Sequence, residues 1–71
     1  MNNKDELLYD LIFSKEDYFV IDISNYIENI YEHKEFTDDI RTILKKSKVT
    51  IIKSDLVLDS KTATWKIKIK K

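Results

Sequence analysis

The chain has 71 residues with no Cys, no Gly and no Pro, and its thirteen Lys and Arg offset thirteen Asp and Glu to a formal charge of zero. That composition excludes a disulfide framework, a thiolate metal site and any Gly-rich phosphate-binding loop. A chain this short makes one small domain, residues 1–71, that buries only about 60% of the surface its unfolded form exposes, so a partner or a second copy is a natural supplement to its stability.

Apolar residues make up 42% of the chain, enough to argue against disorder. No apolar run approaches the ~18 residues of a membrane span, and the opening MNNKDELLYD lacks a signal-peptide pattern. The expectation is a soluble, cytoplasmic protein with no membrane partner. The zero net charge hides a division: residues 1–40 carry three lysines and eleven carboxylates, a balance of −8, whereas residues 41–71 carry ten basic side chains and two carboxylates, a balance of +8. Such asymmetry points to a charged partner, or to halves that complement each other within the fold or across a dimer.

Taken in order, Asn3 is placed to cap a first helix over residues 4–13, with Asp5 and Glu6 in its first turn and Leu7, Leu8, Leu11 and Ile12 as its apolar stripe. After a polar break, Tyr18-Phe19-Val20-Ile21 reads as a short strand. Ile23, Tyr26, Ile27, Ile30 and Tyr31 then recur at i, i+3, i+4, i+7 and i+8. That spacing predicts a second helix from Asp22 or Ser24 to about His33. Thr37 reads as the N-cap of a third helix, with Phe36 just outside it, Asp38 and Asp39 at the positive end of its dipole, and Ile40, Ile43 and Leu44 facing inward. This helix is expected to end near Lys46 or Ser47, where Lys45, Lys46 and Lys48 suit its negative end.

Beyond Lys48 the apolar period changes to two. Residues 49–52 and 56–58 read as strand segments around Lys53-Ser54-Asp55, either one bent strand or two joined by a tight turn. Residues 59–62 have the composition of a hairpin turn. In the last strand Trp65, Ile67 and Ile69 alternate with Lys66, Lys68 and Lys70, which gives a buried face and a row of lysines. Those lysines read either as phosphate contacts or as protection of a terminal strand against unwanted pairing. The expected fold class is α+β, three helices with a small antiparallel sheet in the order helix-strand-helix-helix-strand-strand.

That element order, with Phe36-Thr37-Asp38-Asp39-Ile40-Arg41-Thr42-Ile43-Leu44 as a helix start, resembles winged helix-turn-helix domains. The resemblance implies a DNA-binding transcriptional regulator in which Arg41, Thr42 and Lys45 approach base edges or phosphates. The hairpin bearing Lys61, Lys66, Lys68 and Lys70 is then the wing. The sequence departs from those domains in two places. His33-Lys34-Glu35 stands where their turn usually has Gly, and Asp38 and Asp39 sit at the helix end that approaches DNA.

Candidate chemistry is sparse. His33, between Glu32 and Glu35, is the sole histidine, and one His without Cys makes a poor ligand set, so no metal and no cofactor are expected. The acid pairs Glu16/Asp17 and Asp38/Asp39 are adjacent in sequence, and on a helix adjacent side chains point apart. There is no nucleophile elbow, and no enzymatic activity is expected. Surfaces remain. Glu28, Glu32, Glu35, Asp38 and Asp39 make a candidate protein-binding surface suited to a basic groove. The reading is a small non-enzymatic binding module with a protein as partner, nucleic acid as the alternative partner, and a homodimer compatible with both. Compact Lys-, Ile-, Asn- and Asp-rich chains of this kind resemble phage or mobile-element proteins that inhibit host machinery. That resemblance implies an inhibitor or regulator of a larger macromolecule, bound through charged surfaces.

Overall fold

The computed structural model describes residues 3–71. Helix α1 (Lys4–Phe13) begins where the sequence places its cap: Asn3 Oδ1 accepts the backbone N–H of Asp5 at 2.8 Å. Leu7, Leu8 and Leu11 are buried beneath it. Strand β1 (Tyr18–Asp22) follows the polar break.

The second helix expected over residues 22–33 is not formed. Asp22 does act as a cap, accepting from Ser24 N–H at 3.2 Å, but it opens only one 3-10 turn, Ile23–Asn25. A second start then intervenes. Asn29 Oδ1 accepts from Tyr31 N–H at 3.0 Å, and Glu32 Oε2 reaches back to the N–H groups of Asn29 at 3.3 Å and Glu28 at 3.1 Å. This reciprocal Asn-x-x-Glu box satisfies orphan donors at the head of a new helical run, so it holds the preceding residues out of helix. The run is a 3-10 turn, Ile30–Glu32, that leads directly into α2 (His33–Lys46). The apolar period of Ile23, Tyr26, Ile27 and Ile30 is nevertheless met, because an irregular loop packs all four against the core. Tyr31, the last member of the stripe, is 84% exposed.

Thr37 is likewise not a cap. It is buried within α2 and its Oγ1 donates to the Lys34 carbonyl at 3.0 Å. The fold is therefore α+β with two helices rather than three, in the order helix-strand-helix-strand-strand. Helix α2 stops without a glycine. Val49 N–H donates to the Leu44 carbonyl at 2.9 Å and Lys48 N–H to the Lys45 carbonyl at 3.1 Å, with Lys48 at φ 62°. This pairing is a Schellman motif, and the apolar contact that accompanies it joins Leu44 to Val49, both buried.

Strand β2 (Thr50–Leu58) is one continuous strand with a register irregularity between Ile51 and Lys53. The hairpin closes through Asp59 N–H to the Thr62 carbonyl at 2.8 Å and returns as β3 (Ala63–Lys70). The sheet order is β1-β3-β2, antiparallel throughout. The lysine-bearing last strand is thus central, and protection of a sheet edge does not account for Lys66, Lys68 and Lys70. Ala63, Trp65, Ile67 and Ile69 are buried under both helices together with Phe36, Ile40 and Leu44. The other face of the sheet carries no covering layer among the described residues.

Candidate functional site

The opposite charges of the two halves are not consumed by direct pairing. The one ion pair within 4 Å among the described residues, Lys4 to Asp39 at 3.7 Å, joins two members of the acidic half. Three charged regions result.

The first is an acidic cleft. Glu32, just before α2, and Glu35 and Asp39 within it lie three and four residues apart and so share the flank towards α1. They line a shallow depression with Tyr26, Ile27, Phe36 and Lys4. Its floor is the stacked pair of Tyr26 and Phe36, with centroids 5.4 Å apart. Glu28 is tied to this rim because its N–H donates to Glu32 Oε2. Of the five carboxylates expected to form a protein-binding surface, the fold gathers Glu32, Glu35 and Asp39 around the depression, while Glu28 joins it only through its backbone N–H. Asp38 does not line the cleft, and its carbonyl accepts from Thr42 Oγ1 at 2.9 Å.

The second region lies where α2 passes into β2. Arg41, Lys45 and Lys48 surround a groove over Val49, Thr50 and Ile51. Arg41 is not held out towards a ligand. Its guanidinium lies 5.3 Å from the Trp65 ring centroid and donates to Ser54 Oγ at 3.1 Å, an oxygen that also accepts the Trp65 indole N–H at 2.9 Å. Thr42 back-bonds along its own helix.

The third region is the uncovered face of the sheet. Opposed residues share a face in an antiparallel ladder. The register sets Tyr18 opposite Lys68, Val20 opposite Lys66, Lys53 opposite Lys68 and Asp55 opposite Lys66. Lys66, Lys68 and Lys70 therefore share this face with Lys53, Tyr18, Val20 and Asp55, whereas Lys61 sits apart in the hairpin turn. The sequence pattern missed Lys53 because only the strand register brings it beside Lys68. It missed Lys4, Tyr26 and Phe36 because their meeting joins three separate elements.

No group of three or more His, Cys, Asp or Glu positioned to hold a metal ion occurs among the described residues. His33 Nδ1 lies 2.8 Å from the Ile30 carbonyl, where it is engaged in closing the helix start. No helix of the described residues is long and apolar enough to cross a membrane. No protein-family model matches the chain, and no curated protein or solved structure does either.

Proposed function

We propose that this chain is a small non-enzymatic binding module that engages a larger protein through its acidic cleft, in the manner of an inhibitor or regulator. The observation that carries this reading is the set of three carboxylates, Glu32, Glu35 and Asp39, around an aromatic floor where Lys4 is the one basic side chain. Such a cleft suits a Lys or Arg side chain, its alkyl stem or guanidinium plane against Tyr26 and Phe36 and its charge among the acids. A partner with a basic groove, of the kind that holds nucleic acid, presents that chemistry over many side chains. Occupying the groove would exclude its ordinary ligand.

The test uses a labelled oligo-arginine peptide in fluorescence anisotropy. The expected result is binding that weakens with salt and is lost in Glu35→Lys combined with Asp39→Lys, while circular dichroism shows the fold intact. Equal binding by the double variant and the parent sinks the cleft as the recognition surface.

A second reading is favoured by one observation. Lys53 and Lys68 face each other directly across the β2–β3 ladder, a like-charge pairing that is unfavourable unless an anion lies over it. A sheet face with four lysines and Tyr18 suits a nucleic-acid backbone with a base stacked on the ring. In this reading the DNA-binding role moves from helix α2 to the open sheet. Anisotropy with labelled single-stranded and duplex DNA between about 50 and 200 mM salt separates the two readings, since a phosphate-binding face loses affinity steeply over that range.

A further inference from the structure

Strand β2 is an edge strand of nine residues with no strand partner on its outer side among the described residues. Long apolar edges invite pairing with another chain, and proteins usually blunt them. Here the blunting is partial: the strand has one irregularity near Ile52, and it exposes Ile52, Leu56, Val57 and Leu58, each more than a third accessible. Its sequence is also self-complementary. In an antiparallel pair, opposed residues lie on one face, so a strand pairing with its own copy must place the two-fold axis on a residue.

An axis on Lys53 or Asp55 sets like charges against themselves. An axis on Ser54 sets Lys53 opposite Asp55 of the second copy, twice, within the part of the strand that keeps a regular register. The two charges have a need for this arrangement. Within its own sheet Lys53 faces Lys68, and a carboxylate on its outer side relieves that repulsion. Asp55 already faces Lys66, and it would then lie between two lysines. The Ser54 hydroxyl is turned to Trp65 and Arg41 on the helix side, which leaves the backbone edge free to pair.

We propose that two copies of this chain associate through antiparallel pairing of β2 with β2 about a two-fold axis at Ser54, forming one six-stranded sheet. The arrangement joins the lysine faces of both copies into one surface. No residue lining the acidic cleft lies on β2, so the dimer and the cleft are independent, and either is lost without the other.

The test begins with sedimentation velocity of the full chain over a concentration series. The parent is expected to dimerise. Asp55→Lys is expected to weaken the dimer by about tenfold or more, since it sets lysine against lysine twice. Combining Lys53→Asp with Asp55→Lys is expected to restore it with reversed polarity. The register is read separately by oxidising an equal mixture of Lys53→Cys and Asp55→Cys chains, which have no other thiol and whose mixed dimer keeps one Lys53–Asp55 pair. Opposed positions in a ladder are about 4.5–5.5 Å apart at Cα, within reach of a disulfide. Covalent dimers are expected in the mixture and not in either variant alone. A parent that stays monomeric at about millimolar concentration overturns the proposal. So does a dimer unaffected by Asp55→Lys, and so does a mixture that yields no cross-link.

Discussion

The indole Nε1 of Trp65 donates to Ser54 Oγ across 2.9 Å, tying the largest fully buried side chain to the neighbouring edge strand. The same hydroxyl accepts from Arg41, so helix α2, strand β2 and the core meet at one oxygen. Ser54→Ala leaves the buried indole N–H without its acceptor, a loss of about 1–3 kcal/mol. In a domain of this size each kcal/mol shifts Tm by about 4–8 °C. A fall of several degrees in a calorimetric scan is expected; a Tm within a degree of the parent would mean that the oxygen contributes nothing net.

Lys48 holds the one positive φ among the described non-glycine residues, in a position that helix ends usually give to glycine. A left-handed non-glycine residue costs about 1–2 kcal/mol, and glycine's extra freedom in the unfolded chain returns about 0.4–1 kcal/mol of that gain. Lys48→Gly is therefore expected to stabilise the fold by about 0.5–1 kcal/mol, read as an increased urea midpoint with an unchanged slope. A lower midpoint would mean that the Lys48 side chain makes a contact worth more than the backbone strain.

Glu32 has two roles that substitution separates. Its carboxylate accepts from Glu28 and Asn29 N–H and also lines the acidic cleft. Glu32→Ala removes half of the capping box and is expected to cost about 1 kcal/mol. Glu32→Gln keeps an acceptor oxygen and is expected to retain most of that stability, while it weakens oligo-arginine binding. If Gln and Ala variants bind the peptide equally to the parent, the Glu32 charge takes no part in recognition.

On the open sheet, the nucleic-acid reading gives a quantitative expectation. Each lysine that meets a phosphate adds about one unit to the slope of log affinity against log salt. Lys53→Gln and Lys68→Gln are each expected to lower that slope by about one, and Lys61→Gln in the hairpin turn to leave it unchanged. Equal slopes for all four proteins would remove the sheet face from that role.

Local patterns carried much of this architecture, and they failed where a choice between local patterns was made by geometry or by distant chain. The Asn3 cap, the Leu7, Leu8 and Leu11 stripe, and the alternation of Trp65, Ile67 and Ile69 are each visible in a few consecutive residues, and the fold uses them as read. The expected helix over residues 22–33 came from a true apolar period, but Asn29 and Glu32 form a start signal inside it. That signal was present in the sequence and outweighed the period. The position of β3 between β1 and β2 has no local mark, because strand order is settled by contacts between residues far apart in the chain. For the same reason the acidic residues were recognisable as a group, but the meeting of Glu32, Glu35 and Asp39 with Lys4, Tyr26 and Phe36 depends on elements that are far apart in the chain.

The central place of β3 also bears on how the molecule is made. β1 and β2 do not pair with each other, and every strand–strand hydrogen bond of the sheet has one partner in Ala63–Lys70. During synthesis the two helices and both outer strands therefore emerge with no sheet to join, and folding waits for the last strand to insert between two that are already present. A chain interrupted before Ala63 would expose Ile21, Ile51 and Leu56 together, and quality-control proteases would meet it as an unfolded substrate rather than as a shorter version of the fold.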